Sequence, residues 1–254
     1  MEVKINYGKG RISVRIEDTR LARVLRKRKS ASLKNPRKEI LSAIENPLAV
    51  RPLKELCSAG KSACVVVSDI TRPVPNELIL GVLLPYLESN GINRSDITIL
   101  IALGMHRPLD GQELADLLGK DVAGNYRVIN HNPQDSENLV EIGQTSCGTR
   151  IRINKTYAQA EIKILTGLIE PHFMAGYSGG RKSICPGIVD LETLRYTHGI
   201  ECLSHPRASN CILKGNPFHT EALEIGRQVG CNFIVNVVLD DLRKITGVFA
   251  GGME

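Results

Sequence analysis

The chain has 254 residues, of which 42% are hydrophobic, and carries a net charge of +6. That length accommodates one large α/β domain or two small ones. No apolar run reaches the roughly 18 residues of a membrane span, and the opening "MEVKINYGKG" lacks the apolar core of a secretory signal. Seven cysteines, an odd number without a C-x-x-C pair, argue against a disulfide framework or a zinc ribbon and for a reducing cytoplasm.

The N-terminal stretch reads as a hairpin, with "VKINY" and "RISVRIE" flanking the turn signal "GKG". Residues 20–38 then hold nine basic side chains and no acidic one. With no interleaved aromatics and no nucleic-acid motif, this run reads as a solvated face or a partner surface rather than a nucleic-acid site. A helix is expected within residues 36–45, and residues 1–50 together are expected to form an appendage, a hairpin plus a basic helical segment, on a single domain.

The rhythm then changes. "ACVVVSD" at 63–69 is a short valine-rich run of the kind buried on both faces of a parallel sheet. Asn76 is placed to cap a helix over "ELILGVLLPYLESNG" that ends near Gly91. "DITILIALG" is a second buried strand, "GQELADLLG" a short helix, "YRVIN" a strand and "EIKILTGLI" a third apolar strand. "LETLRYTHG" and "PFHTEALEIGRQVG" are helical, the latter with Asn216 as cap and Pro217 at its first position; "FIVNVVLD" is a further strand. Strand–helix alternation at this spacing predicts a doubly wound, mostly parallel, Rossmann-like α/β sheet with right-handed crossovers.

In such a sheet ligands sit beyond the carboxyl ends of the strands. The first strong strand is followed by "SDITRPVP", with Asp69 and Arg72; the second by "GMHRP", with His106 and Arg107. The third is followed by "EPHFMAGYSGGRKSICPG", with His172, Ser178, Arg181, Lys182 and Ser183. Each residue has a plain alternative: Asp69 as a turn cap, Arg72 as a surface ion-pair partner, the histidines as satisfied rim residues, and Lys182 as half of a solvated basic pair. Ionisable groups at all three exits, on loops stiffened by proline, favour a site.

"GYSGGRKS" nearly matches the phosphate-loop pattern G-x-x-x-x-G-K-[ST], but Arg181 stands at the second glycine. Pro186 would remove a backbone donor just inside the helix that such a loop opens, and "EPHFMA" separates the loop from its strand. The better reading is a loop for an anionic cofactor. Ser178, Gly179, Gly180 and Ser183 would offer backbone N–H groups and hydroxyls, and Arg181 a bidentate partner. Lys182, beside a cation and partly desolvated, would be a nucleophilic amine. His198, Cys202 and His205 are spaced four and three apart, which leaves a three-ligand metal site open, although Gly199 interrupts the helix and no fourth ligand is evident.

"SDITRPVP", "ALGMHRP" and "GLIEPHFMAGYSGGRKSICPGI…THG" closely resemble the first domain of the lactate racemase family, from about Ala63 onward. The resemblance implies an isomerase that racemises or epimerises 2-hydroxy acids. It also implies a nickel-pincer nucleotide, the nickel(II) complex of a pyridinium-3,5-bisthiocarboxylic acid mononucleotide. It implies that Lys182 attaches the cofactor through a thioamide, that His198 is a nickel ligand, that His106 and His172 are paired acid/base groups with Asp69 beside them, and that Arg72 contacts the substrate carboxylate. The partners it implies are a small 2-hydroxy acid, the cofactor-synthesis enzymes and a second domain that the chain stops short of, with neither nucleic acid nor membrane. The two readings weighed against it are a nucleotide-phosphate-dependent NTPase or kinase and a non-catalytic cofactor-binding domain.

Overall fold

The computed structural model describes residues 1–8, 10–24 and 30–254, in two units, Met1–Ala31 and Ser32–Glu254. In the first, β1 (Glu2–Tyr7) pairs antiparallel with β2 (Gly10–Arg15). Val3 lies opposite Val14 and Ile5 opposite Ile12, so these apolar residues share one face. The N-terminal ammonium meets the Asp18 carboxylate at 2.7 Å. Residues 25–29, the centre of the basic run, lie outside the described residues.

The second unit opens with α1 (Pro36–Glu45), capped by Asn35, whose side chain accepts from the Lys38 N–H. Ile40 and Ile44 of α1 are fully buried in the main core, so this helix, expected with the appendage, belongs to the larger unit.

Next come β3 (Ala63–Ser68), α2 (Asn76–Ser89), β4 (Ile97–Ala102), α3 (Gly111–Leu118), α4 (Lys120–Asn125) and β5 (Arg127–Asn130). A hairpin of β6 (Leu139–Gln144) and β7 (Arg150–Asn154) leads through α5 (Lys155–Gln159) to β8 (Ile162–Leu168). Two short paired segments, β9 (Pro171–His172) and β10 (Gly176–Tyr177), precede α6 (Leu191–Thr197), α7 (Ile200–Leu203) and α8 (Pro217–Val229). The chain closes with β11 (Phe233–Leu239) and β12 (Ile245–Gly251).

Six strands form the central sheet in the order β12-β11-β8-β3-β4-β5; all neighbours are parallel except β11 and β12. Its apolar runs are explained by burial on both sides. Val65 and Val67 of β3 face a core shared with α1, α2 and α3. The alternate residues Cys64 and Val66 face a second core with Leu194 of α6 and Phe218, Ala222 and Ile225 of α8. A fully buried Val or Leu contributes about 1.5–3 kcal/mol, so these two layers hold the strands, and thus the loops at their ends, in fixed places.

The sequence-based cap at Asn76 is not what forms. Pro75 occupies the cap position of α2, and Asn76 lies inside the helix with its amide N–H donating to the Ser68 carbonyl at 3.1 Å. Asn76 ties α2 to the exit of β3 instead of capping its own helix. Pro85, inside α2, cannot donate to the Gly81 carbonyl one turn earlier; the Arg37 guanidinium donates to that oxygen at 3.3 Å.

Gly176 has φ +78°, and a Cβ there would lie 2.3 Å from the Ile212 carbonyl oxygen. Gly176→Ala is therefore expected to cost about 2 kcal/mol or more and to lower Tm by roughly 4 °C or more, measured by calorimetry; an unchanged Tm would contradict the packing of this loop.

Candidate active site

From β3 the chain builds outward to β4 and β5, then returns to place β8 on the other side of β3. The strand order reverses between β3 and β8, and a crevice opens at the carboxyl ends of the strands at such a switch point. A cavity of about 360 Å³ occupies this place, lined from all three exits by Asp69, Arg72, His106, Glu170, His172, Ser178, Gly179, Lys182 and Ser183, and by His198 at the end of α6.

The parallel register pairs Ser68 of β3 with Ala102 of β4, so the residues that follow each strand emerge side by side. That is how Asp69 reaches His106, 37 positions away: its Oδ2 is hydrogen-bonded to the His106 Nδ1. The Asp69 Oδ1 accepts from the Thr71 hydroxyl at 2.7 Å, and the carboxylate side chain is 4% exposed against 54% for the imidazole. A buried carboxylate with both oxygens engaged fixes the tautomer. The Nδ1–H donates to Asp69, and Nε2 is left with its lone pair.

His172 is held differently. Its Nδ1 accepts from the N–H groups of Met174 and Ala175, at 3.3 and 3.2 Å, and its Nε2 lies 2.8 Å from the Lys182 Nζ. Burial, then the nearby Lys182 and Arg72 charges, push its pKa down to about 4. Burial, then repulsion by Arg72 and Arg181, brings the Lys182 amine down to about 7. Arg72 stands 3.9 Å from Glu170.

His198 caps the end of α6, with its Nδ1 3.2 Å from the Leu194 carbonyl oxygen and 3.1 Å from the Thr197 hydroxyl. A carbonyl accepts only, so Nδ1 carries the proton and Nε2 is a free donor atom. The Phe218 ring meets the His198 ring edge-on at 5.6 Å and lies 5.4 Å from the Lys182 Nζ.

Several expected contacts are rearranged. Arg181 does not line the cavity. Its guanidinium is buried, donating to the carbonyls of Ala175 at 2.8 Å and Tyr177 at 3.2 Å on the loop that carries His172. The expected bidentate partner for a cofactor anion is thus a strut of the loop. Gly180 is likewise outside the lining, against the backbone of Met253. The serines reach the cavity, but their hydroxyls are turned to β8. Ser178 donates to the Leu168 carbonyl and accepts from the Glu170 N–H, and Ser183 donates to the Thr166 carbonyl. Arg107 turns away to the Glu113 carboxylate.

The phosphate-loop alternative fails on the same evidence: residues Gly180–Ser183 form a single 3-10 turn, and the next α-helix starts only at Leu191. Among the described residues no group of three His, Cys, Asp or Glu side chains is placed to hold a metal, so His198, Cys202 and His205 do not form a metal site; Cys202 points into the second core. All seven cysteines are free thiols. Among the described residues no helix is long and apolar enough to cross a membrane.

Two residues were not singled out from the sequence. Glu170 was legible by the same rule as its neighbours, being the first charged residue past β8. Phe218 carries no such signal, since on α8 it reads as an ordinary core position.

Two buried histidines set the response to acid. The His131 and His172 pKa values are both pushed down to about 4, first by burial, against about 6.5 in the unfolded chain. As pH falls below 6.5 the unfolded chain takes up these protons and the folded one does not, so stability is lost between about 6.5 and 4. Between pH 6 and 5 the two histidines together are expected to remove about 2 kcal/mol, read from urea midpoints. Stability that stays flat down to pH 5 would contradict it.

Fold and site together define an α/β protein with a ligand crevice at the switch point of a mostly parallel sheet, furnished with an amine, three imidazoles and a guanidinium. The profile of the lactate racemase N-terminal domain matches residues 7–210, and the chain belongs to that family. It is 35% identical over 254 residues to the lactate racemase of Thermoanaerobacterium thermosaccharolyticum and 36% identical over 255 residues to that of Lactiplantibacillus plantarum. It covers 99% of itself in each alignment but only 59% and 60% of those proteins, so it spans about three fifths of the curated relatives it matches. The solved apoprotein structure of the Thermoanaerobacterium thermosaccharolyticum lactate racemase superposes with a TM-score of 0.88 at 35% identity, over 100% of this chain and 60% of that one. A Thermotoga maritima protein at 18% identity shares the fold, with a TM-score of 0.70 over 88% of this chain.

Proposed function

We propose that this chain carries the cofactor-binding and acid/base residues of an isomerase that interconverts the enantiomers of a 2-hydroxy acid, lactate being the first candidate. The observation that supports this reading most is the convergence of Lys182, His198, His106, His172 and Arg72 on one cavity.

The cavity suits a nickel-pincer nucleotide. Its volume of about 360 Å³ lies in the range of small-molecule sites. Lys182 presents an amine brought down to about 7, which is the form that acylates. His198 presents a lone pair on Nε2, with its other nitrogen secured. An imidazole nitrogen with soft sulfur donors suits nickel(II), and His198 Nε2 is the cavity imidazole nitrogen not already engaged in the acid/base roles given to His106 and His172. On this reading Lys182 attaches the group and His198 ligates its nickel. When bound, the group would supply a hydride acceptor.

The chain's own residues then do the remaining work. Arg72 receives the substrate carboxylate, for which a guanidinium offers two parallel donors. His106, oriented by Asp69, takes the hydroxyl proton of one enantiomer at Nε2 and returns it. His172, from the β8 side, offers its Nε2 proton to the oxygen of the other enantiomer. The two histidines reach the cavity from different strand exits, which supports a separate role for each.

In the whole protein a second domain would close over this cavity, and cofactor-synthesis enzymes would supply the group. The free thiols fit a cytoplasmic setting. The test is production alongside those enzymes followed by a chiral assay with L-lactate. Appearance of D-lactate, lost without nickel, supports the reading. A loaded protein that leaves lactate and a panel of longer 2-hydroxy acids unchanged would refute it.

A further inference from the structure

The contact between His172 and Lys182 contains more information than proximity. Nδ1 of His172 faces two backbone N–H groups, of Met174 and Ala175. Backbone amides donate and cannot accept, so Nδ1 must hold a lone pair. A neutral imidazole then has its single proton on Nε2. That Nε2 sits 2.8 Å from the Lys182 Nζ. An ammonium has no lone pair, so a protonated lysine here would set two donors against each other. The arrangement closes only if Nζ accepts, which means a free amine.

We propose that His172 and Lys182 form a latch: the Nε2–H of His172 holds Lys182 as an aimed free amine before cofactor arrives, and acylation of that amine releases Nε2 to the cavity. The second half rests on the function proposed above; the first rests on hydrogen-bond geometry alone. Acylation uses the amine lone pair to form the N–C bond, while the leaving group departs with its own bonding pair and an amine proton goes to solvent. The product nitrogen is an amide or thioamide, whose lone pair is delocalised and no longer an acceptor for Nε2–H. One event therefore both tethers the cofactor and turns the Nε2–H of His172 to the cavity as a proton donor, and His172 stays committed to Lys182 until the site is loaded.

The groups facing the amine agree. Arg72 and Arg181 repel an ammonium, and burial disfavours it; Cys185 and Glu170 act the other way more weakly, and the Phe218 ring lies 5.4 Å from Nζ. His172 itself is hemmed in by Lys182, Arg72, His198 and Arg181.

The experiment uses the 254-residue chain without cofactor, so it is independent of whether the nucleotide loads. Acetic anhydride at pH 7 is the probe, with acetylation at each lysine read by peptide mass spectrometry. Lys182 should react on the order of 10-fold or more faster than the exposed lysines. His172→Phe, which keeps the ring shape and removes the donor, should slow Lys182 and move its pH–rate midpoint upward from about 7, with the other lysines unchanged. In parallel, 15N-histidine spectra of the wild-type chain should show His172 as the Nε2–H tautomer, with its Nε2–H signal shifting once Lys182 is acetylated. The Nδ1–H tautomer, or a Lys182 rate and midpoint identical in wild type and His172→Phe, would overturn the latch. If the latch is found but the protein never takes up the nucleotide, only the functional reading falls.

Discussion

His106→Ala in the cofactor-loaded protein is expected to slow racemisation of lactate by about 10²–10⁴-fold, the usual range for a positioned general acid/base, while leaving bound nickel unchanged. The retained metal is the informative part, because His106 and His198 reach the cavity from different elements, the exit of β4 and the end of α6. Asp69→Asn should follow with a loss of similar order. An asparagine can present its amide N–H to the His106 Nδ1, which would drive the ring to the other tautomer and remove the Nε2 lone pair. Asp69 is buried and takes a second bond from Thr71, so it has little freedom to swing and restore the acceptor. Chiral chromatography gives the rates and metal analysis the occupancy; loss of nickel in either variant, or near-normal racemisation in both, would remove His106 from its proposed place.

Lys182→Met is expected to act in two opposite directions. It should abolish covalent attachment and with it activity. It should also stabilise the cofactor-free fold near neutral pH. The unfolded chain holds its lysine proton up to about 10.4, whereas in the fold the amine is brought down to about 7, mainly by burial beside Arg72 and Arg181. Between those values the unfolded state binds the extra proton, so the wild type becomes more stable as pH rises toward 10.4. The buried lysine is a cost at pH 7, and removing it should raise Tm by a few degrees there, an effect that fades by pH 10. Methionine fills most of the lysine volume without a charge. Functional positions commonly sit at such a cost. A Lys182→Met protein less stable than wild type at pH 7 would show that the contacts of the amine, the His172 hydrogen bond among them, outweigh the cost of burying it.

How much of this was legible in the sequence depends on how local its cause was. β3, β4 and β8 announce themselves because both faces are buried, which forces near-continuous apolar runs. The β6–β7 hairpin does not: Glu141, Gln144 and Arg150 sit on it exposed, and its register shifts between Glu141 and Gly143, so no clean alternation survives. α4 follows α3 after only Gly119 and is too short to show a period. Asn76 looked like a cap because caps are recognised by residue type, yet the acceptor it serves, the Ser68 carbonyl, comes from β3 and is invisible in the local sequence.

The site divides the same way. The rule that ligands sit past the ends of parallel strands was enough to collect Asp69, Arg72, His106, His172 and Lys182. It said nothing of orientation. Whether Arg181 faces a ligand or its own loop is decided by the carbonyls of Ala175 and Tyr177. The pairing of Asp69 with His106 follows from the register of β3 on β4. The tautomer of His172 follows from two backbone amides. These are tertiary facts, and each changes the chemistry assigned to its residue.

The account depends most on one site assembling around a group tethered at Lys182. The direct test is intact-mass and peptide-mapping analysis of the protein produced with the cofactor-synthesis enzymes and nickel. The account predicts a single mononucleotide-sized adduct on the peptide containing Lys182, still present in His106→Ala and absent in Lys182→Met, with nickel reduced in His198→Ala. An unmodified Lys182, or an adduct on any other lysine, would contradict it.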